Sequence, residues 1–281
     1  MRKSHKKSSR ETGLEIGSIL GKYFLKLDHL HYGYWTNDLK VDIANLHKAQ
    51  QNYTEFLISS IPDGVRKILD VGCGTGTTAK RLVDIGYYVD CLSPSHLQCK
   101  RAMALLGNTS QIFECKYEHL ETQNRYDLIL FSESFQYVAL SDAVAKSVDL
   151  LNKEGFLLIC DIFKKTAEGT SVMRGGHELN KFYEVIAGHS FELIKEVDIT
   201  EATAPNIDML NDALTNVAQP ILQLTSDFFD TRYPLTSKIL RWKYRKEIEN
   251  KYNKYFSGGR TGEDFKQFRT YRLLLYKNCK Q

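Results

Sequence analysis

The stretch Lys67-Ile68-Leu69-Asp70-Val71-Gly72-Cys73-Gly74-Thr75-Gly76 decides the fold of this chain. Residues Ile68 to Val71 are apolar apart from one acid, which is typical of a parallel strand buried on both faces. Glycines at alternate positions end the strand, and residues 77–82 then predict the start of a helix. Glycines allow close backbone approach, and the N–H groups and dipole of a helix N-terminus favour negative charge. The stretch therefore predicts a site for a nucleoside ligand with an anionic end.

The spacing of the glycines distinguishes between nucleotide ligands. A dinucleotide fingerprint, G-x-G-x-x-G, would need glycine at position 77, where this chain has Thr77. The pattern D-V-G-C-G-T-G after a strand instead resembles the first motif of the S-adenosylmethionine-dependent methyltransferases with a Rossmann-like fold. The alternative is an ordinary glycine turn between a strand and a helix.

A second motif narrows the resemblance. His31-Tyr32-Gly33-Tyr34-Trp35, which we call the aromatic knot, resembles the H-Y-G-x-W segment of one methyltransferase branch. That branch contains the tocopherol, sterol and natural-product methyltransferases and is related to the cyclopropane fatty acid synthases. The resemblance covers about residues 28–161. It implies an α/β fold with a Rossmann-like, seven-stranded methyltransferase sheet.

The order of predicted elements supports an α/β fold, since strands and helices alternate from residue 66 onward and this favours a parallel sheet. We expect a basic disordered arm (1–10), an N-terminal helical segment with an aromatic cofactor lid (11–65), a core (66–202 and 268–281), and a helical cap (203–267) inserted before the last strand. The cap contains many aromatic residues, which either cover the substrate pocket or form the cap's own core: Phe228, Phe229, Tyr233, Trp242 and Tyr244.

The resemblance also implies which residues hold the cofactor. Most relatives place an acid at the end of the second strand to bind the ribose, but here that position is Ser93, and Gln98 matches a glutamine of the branch. Asp90 is the alternative ribose ligand, although strand alternation points it away from the site. For the methionine end we expect the N–H groups of Gly72 and Gly74, with Tyr32 closing over the carboxylate.

Further contacts complete the expected cofactor site. Tyr32 or Trp35 could face the sulfonium, because an aromatic ring stabilises a cation, and Asp70 is expected to brace the loop through backbone N–H groups. A backbone N–H near Tyr117 and the carboxylate of Glu118 are candidates for adenine. The expected cofactor set is Tyr32, Trp35, Asp70, Gly72, Gly74, Gly76, Ser93, Gln98, Tyr117, Glu118 and Ser132.

Methyl transfer to a phenol or enol needs a base whose pKa lies near the working pH. The candidates are Glu133, at the end of the fourth strand, and His177, beside a predicted helix; for a single histidine an ordinary packing role is the simpler explanation. Gln136 occupies a position where relatives often carry glutamate, and in cyclopropane synthases that acid helps to hold a bicarbonate base. Cyclopropanation is therefore disfavoured here.

Composition and charge limit the partners. The formal net charge is +4, and the arm alone supplies five positive charges, so the remainder is nearly neutral and no nucleic-acid face is expected. No run approaches the about 20 apolar residues of a membrane span. The six cysteines show no C-x-x-C pair and the histidines no metal-ligand spacing, so we expect no metal and a cytoplasmic, reducing location. The sequence leaves a homodimer open.

Together these features predict an S-adenosylmethionine-dependent methyltransferase acting on oxygen or carbon of an apolar small molecule, such as a natural product, quinone, polyketide or lipid-like acceptor. The alternative is a protein of the same fold that binds the cofactor without methylating, as a sensor or partner subunit. An NAD oxidoreductase is disfavoured by the glycine spacing and by Ser93.

Overall fold

One sheet forms the centre of the structure. The computed structural model describes residues 17, 19–25, 27, 29, 31–256 and 260–280; the predicted basic arm lies outside these residues. The strands of the described part are β1 (Lys67–Val71), β2 (Tyr88–Leu92), β3 (Ile112–Phe113), β4 (Tyr126–Ser132), β5 (Leu151–Lys164), β6 (His177–Glu178), β7 (Phe191–Asp198) and β8 (Arg269–Asn278). Their order is β3-β2-β1-β4-β5-β8-β7, with β6 paired to β5 off this path.

Helices connect these strands and pack on both faces of the sheet. Those described in full are α1 (Leu46–Ile58), α2 (Thr77–Asp84), α3 (His96–Leu106), α4 (Leu140–Leu150), α5 (Leu179–Ala187), α6 (Thr200–Thr203), α7 (Pro205–Ala213), α8 (Gln219–Arg232), α9 (Pro234–Phe256) and α10 (Gly262–Phe268). Within the described residues, no helix is both long enough and apolar enough to span a membrane.

Strand alternation divides the core into two layers. Along β1, Ile68 belongs to one buried cluster together with Tyr53 of α1 and Tyr271 of β8. The next residue, Leu69, belongs to the cluster on the opposite face, with Phe131 and Phe135. A strand that is buried on both faces must be apolar at consecutive positions, which is why the sequence pattern identifies β1 so clearly.

The topology places several loops at one edge of the sheet. Strands β1 to β5 run parallel, whereas β8 lies antiparallel between β5 and β7. The strand order reverses between β1 and β4, so the carboxyl ends of these strands open a crevice there, and ligands of open α/β sheets bind in such crevices. The glycine loop, Ser93 and Ser132 all lie at this edge.

Helices α6–α10 lie between β7 and β8, and the five aromatic residues named for the cap are not where either interpretation put them. Phe228, Phe229, Tyr233, Trp242 and Tyr244 are exposed, with Trp242 at 82%. They neither line the cavity described below nor form a buried core. Within this segment, α7 supplies the contacts that matter for the site.

Candidate functional site

The glycine loop is held tightly against β2 and β4. All three glycines have positive φ: Gly72 (79°), Gly74 (55°) and Gly76 (86°). A Cβ on Gly72 would lie 2.4 Å from Cβ of Ser134, so no side chain fits there. The N–H of Gly72 donates to the carbonyl of Leu92 at 2.8 Å. The expectation that this N–H binds the cofactor is therefore wrong, because it is already bonded to Leu92. Gly72 instead allows the loop backbone to lie close to Ser134, and the Gly74 N–H stays the candidate donor to the cofactor.

Asp70 is an acid without a counter-charge. Its side chain is 2% exposed, and Oδ2 has no hydrogen-bond partner among the described residues. The expectation that this carboxylate braces the loop through N–H groups is thus not met at Oδ2. Burial raises the pKa of Asp70 to about 7. A buried, unpartnered carboxylate oxygen is costly, and a ligand that brings a donor would relieve that cost.

Ser93 and Gln98 come together at the end of β2. The Ser93 hydroxyl donates to Oε1 of Gln98 at 3.1 Å, and the Ser95 N–H donates to the same hydroxyl at 3.2 Å. Asp90 instead accepts from the Tyr126 hydroxyl at 2.9 Å and from the Gln111 N–H at 3.2 Å. Both oxygens of the Asp90 carboxylate are therefore used in bonds within the protein, and Ser93 and Gln98 are the better candidates for binding the ribose.

The end of β3 gives a weaker adenine site. The Tyr117 ring is buried and its hydroxyl hydrogen-bonds to the Ser147 hydroxyl at 2.9 Å, so its side chain belongs to the core. Glu118 forms an ion pair of 3.5 Å with Lys116. The backbone of Tyr117 and the Glu118 carboxylate keep their predicted adenine roles as proposals only.

The aromatic knot is clamped between α1 and α7. The side-chain amide of Asn206 bonds the Gly33 backbone twice, accepting from its N–H at 2.8 Å and donating to its carbonyl at 2.7 Å. A Cβ on Gly33 would lie 2.6 Å from Cβ of Ala49. The Nδ1–H of His31 donates to the Tyr32 carbonyl at 2.8 Å, and burial lowers the pKa of His31 to about 3, so the ring is neutral. The knot therefore has one fixed backbone conformation.

Trp35 is less suited to its predicted role. Its ring is buried at 5% exposure, and its backbone N–H donates to the Ala202 carbonyl at 2.9 Å. The indole Nε1 has no hydrogen-bond partner among the described residues. Trp35 packs the knot against the start of the cap, and Tyr32 is the better candidate for an aromatic contact with ligand.

Glu133 lies at the centre of a hydrogen-bond network behind Tyr32. Its Oε1 accepts from the Tyr32 N–H at 2.7 Å and from the Tyr271 hydroxyl at 2.8 Å. The Tyr271 hydroxyl is also hydrogen-bonded to the Tyr53 hydroxyl at 3.0 Å, and the Tyr53 hydroxyl is hydrogen-bonded to the Ser132 hydroxyl at 3.0 Å. Burial raises the pKa of Glu133 to about 7, although both hydrogen bonds act in the opposite direction. Glu133 also has a positive φ of 55°, which is uncommon for a non-glycine residue.

Two other candidate bases are more fully engaged. Burial raises the pKa of Asp161 to about 7 as well, but its oxygens accept from the Gln136 backbone N–H (3.2 Å), the Gln136 side-chain amide (3.0 Å) and the Ile162 N–H (2.7 Å). The Nε2–H of His177 donates to the carbonyls of Val138 (3.0 Å) and Phe135 (3.3 Å). Because Nε2 is a donor there, only Nδ1 is left to take up a proton, and the role of His177 as a base stays a prediction.

A cavity of about 120 Å³ lies beside Tyr32, which forms part of its lining. It is bounded by the end of β5, the following loop, α7, α10 and the start of β8. Its lining is Tyr32, Ile162, Met173, Arg174, Ile207, Leu210, Asn211, Arg260, Phe265 and Arg269. The site thus combines a glycine-loop cradle, an acid of raised pKa and a mostly apolar cavity with a basic rim.

Comparison with known proteins agrees with this geometry. Residues 69–159 match the protein family described as methyltransferase domain. The chain carries a methyltransferase domain. A relative of this domain is the ubiquinone biosynthesis O-methyltransferase of Rickettsia bellii (strain OSU 85-389), which is 23% identical over 230 residues, covering 74% of this chain and 91% of the relative.

Two solved structures share the fold over most of this chain. Geranyl diphosphate C-methyltransferase from Streptomyces coelicolor A3(2), solved with Mg²⁺, geranyl diphosphate and S-adenosyl-L-homocysteine, superposes with a TM-score of 0.62 at 16% identity, covering 94% of this chain and 93% of that one. The cyclopropane synthase MmaA2 from Mycobacterium tuberculosis gives a TM-score of 0.64 at 16% identity, covering 89% and 90%.

These matches confirm the predicted Rossmann-like fold and the predicted enzyme class. The methyltransferase domain implies S-adenosylmethionine as the methyl donor. Three contributors to the site were not predicted from the sequence, namely Tyr53, Asn206 and Tyr271. They reach the site from α1, α7 and β8, and no local pattern marks them, because each acts through a contact with residues far away in the chain.

Proposed function

We propose that this enzyme methylates an oxygen or carbon atom of an apolar small molecule that binds in the cavity beside Tyr32. The observation that carries the proposal is Glu133, an acid with a pKa near 7 whose carboxylate accepts from the backbone N–H of Tyr32, a residue of the cavity lining. The Rickettsia relative is named as a quinone-pathway O-methyltransferase and the Streptomyces structure as a C-methyltransferase, which supports acceptors of this class. Such acceptors place the reaction in biosynthesis.

The residues at the crevice fit S-adenosylmethionine. When bound, this cofactor supplies an activated methyl group on a sulfonium. Oδ2 of Asp70 lacks a donor, which the cofactor's ammonium would provide directly or through one water. Ser93 and Gln98 would hold the ribose hydroxyls through neutral hydrogen bonds, and the Gly74 N–H would face the methionine carboxylate. Close packing at Gly72 keeps the loop flat enough for the ligand to approach.

Glu133 is proposed as the general base. A base that removes a proton from a phenol or enol works best when its pKa lies near the working pH. Both bonds to Glu133 described above end on Oε1, whereas the bonds to Asp161 occupy both of its oxygens. The bonds from Tyr32 and Tyr271 hold the Glu133 carboxylate in one orientation while a proton is taken up. The proton therefore ends on Glu133.

The cavity wall selects for apolar acceptors. Ile162, Ile207, Leu210 and Phe265 contribute aliphatic and aromatic surface to it. A wall of this kind excludes water from the reacting atoms, which methyl transfer requires. We also propose a cytoplasmic location, because the described cysteines are free thiols and most are buried.

The test is a labelled-methyl assay over pH 5.5–8.5. The purified enzyme is incubated with labelled S-adenosylmethionine and a panel of phenols, quinols and enols. We expect transfer that rises with pH through about 7, as Glu133 ionises, and loss of that rise in Glu133→Gln. The control Glu192→Gln changes an exposed acid of β7 and should keep the wild-type profile.

Two results would contradict this proposal. Unchanged activity in Glu133→Gln would remove Glu133 as the base. Tight binding of S-adenosylhomocysteine with no transfer to any acceptor, including those in a cell extract, would favour the alternative of a binding protein that does not methylate.

A further inference from the structure

Guanidinium groups surround the cavity from three directions. Arg174 lies in the loop between β5 and β6, Arg260 in the segment before α10, and Arg269 at the first position of β8. The remaining lining is mainly apolar. A cavity that only had to enclose a neutral apolar molecule would not need this much positive charge at its rim.

Arg269 forms no ion pair with any of the described residues. Its side chain is buried at 7% exposure, and within the described residues no carboxylate oxygen lies within the 4.0 Å of an ion pair. One Nη1–H donates to the Phe268 carbonyl at 2.9 Å, and Nη2 donates to the carbonyl of Met173. Burial lowers the pKa of Arg269. The two carbonyls fix the direction of the guanidinium, but they supply no opposite charge, and a buried charge is costly without one.

The negative charge of Asp264 acts on Arg269 and opposes the effect of burial on its pKa, but no ion pair joins these two side chains in the described part of the chain. Asp264 accepts from the Ser171 hydroxyl at 2.7 Å, and Asp208 accepts from the Gly262 N–H at 2.7 Å. Asp161 accepts from Gln136 and from the Ile162 N–H, as described above. The positive charge of Arg260 is close enough to Tyr32 to act on the pKa of its phenol, lowering it against the effect of burial. Positive charge therefore extends from Arg269 to the Tyr32 side of the cavity.

Resting on the proposed function, we propose that the acceptor carries an anionic head group, a carboxylate or a phosphate, which Arg269 and Arg174 bind at the rim of the cavity. Arginine presents a planar fork of donors that matches both anions, and such charge-assisted pairs fix the orientation of a ligand. The apolar part of the acceptor then lies along Ile207, Leu210 and Phe265 toward Tyr32. The anchored head would determine which atom of the acceptor faces Glu133.

The experiment compares probes that have eight carbons each and carry different head groups. Octanoate, octyl phosphate, octan-1-ol and octylamine are titrated calorimetrically into the full chain saturated with S-adenosylhomocysteine. We expect octanoate or octyl phosphate to bind at least about tenfold more tightly than octan-1-ol, because charge-assisted hydrogen bonds are stronger than neutral ones, and octylamine to bind most weakly. The stronger of the two anions identifies the head group.

Arginine variants assign the effect to the cavity. Arg174→Met, at an exposed position, should lower the affinity for the preferred anion about three- to tenfold without affecting folding. Arg269→Met should lower it more, and Arg269→Lys should restore part of it, because lysine keeps the charge and loses the fork. The control Arg232→Met removes an exposed arginine of α8 and should leave the affinity unchanged.

Equal affinity for octanoate, octyl phosphate and octan-1-ol would overturn the proposal that the acceptor carries an anionic head group. So would an unchanged affinity in both Arg174→Met and a folded Arg269→Met. Binding of S-adenosylhomocysteine, measured in the same samples, tests the proposed function separately: a chain that binds it normally and ignores the anionic probes contradicts this inference alone.

Discussion

Replacing Asp70 with asparagine should stabilise the free protein and weaken its hold on the cofactor. Burial raises the pKa of the Asp70 carboxyl from 3.8 to about 7, which is a shift of about three units. At 1.36 kcal/mol a unit, ionising this group in the folded state costs up to about 4 kcal/mol at pH 8. An incompletely bonded buried amide costs about 1–3 kcal/mol. Asp70→Asn should therefore raise the free energy of unfolding at pH 8 by about 1–3 kcal/mol.

The pH dependence of the free energy of unfolding is a second test of the expected stabilisation. Between about pH 4 and pH 7 the folded protein keeps the proton on Asp70, whereas the unfolded chain has released it. The contribution of this group to stability is therefore complete below about pH 4 and is lost as the pH rises to 7. Glu133 and Asp161 act in the same direction, so the wild type should lose stability over this window and Asp70→Asn should lose less.

Two assays on the same samples test this reasoning. Urea unfolding at pH 4.5 and pH 8 measures the stability difference, and calorimetric titration at pH 8 measures the affinity for S-adenosylhomocysteine. Loss of a charged hydrogen-bond acceptor should weaken that affinity by about 1.5–3 kcal/mol. A variant that is less stable at pH 8 would contradict the claim that Oδ2 of Asp70 lacks a partner. A variant that binds S-adenosylhomocysteine as well as the wild type would contradict the claim that Asp70 contacts the cofactor.

Three further variants follow from the same site. Ser93→Ala with Gln98→Ala should weaken the affinity for S-adenosylhomocysteine by roughly 1–3 kcal/mol, the sum of two neutral hydrogen bonds; an unchanged dissociation constant would mean that another group binds the ribose. Gly74→Asp should abolish this binding while circular dichroism stays native, and retained binding would count against the loop. Gly33→Ala should lower the free energy of unfolding by about 1–3 kcal/mol in urea titrations, because the new Cβ would lie 2.6 Å from Cβ of Ala49; a variant as stable as the wild type would show that the knot can shift.

Local patterns predicted the elements of the sheet well. The sequence predicts strands over residues 88–92 and 126–132 and a helix over residues 179–187. The structure has these elements with the same bounds, Tyr88–Leu92, Tyr126–Ser132 and Leu179–Ala187. Their signals are local: apolar runs bounded by turns for the strands, and amphipathic spacing for the helix. The strand that begins the glycine loop was predicted one residue early, at 66 instead of 67.

The site was predicted less completely, and the reasons are physical. The sequence identifies Gly72 as a loop glycine but does not show that its N–H bonds Leu92, because that bond depends on the register of two strands. The sequence suggests His177 as a base, but it does not show that the ring bonds to carbonyls about 40 residues away in the chain. The aromatic side chains of the cap, such as Trp242, suggested a pocket lining, but their helices turn them to the surface.

The central claim is that residues 68–98 bind one sulfonium nucleoside and not a redox dinucleotide. Calorimetric titration of the full chain with S-adenosylmethionine and, separately, with NAD⁺ tests it most directly. The account predicts one S-adenosylmethionine bound for each chain, no binding of NAD⁺, and loss of the signal in Gly74→Asp. Binding of NAD⁺ without S-adenosylmethionine, or a signal that Gly74→Asp leaves intact, would contradict it.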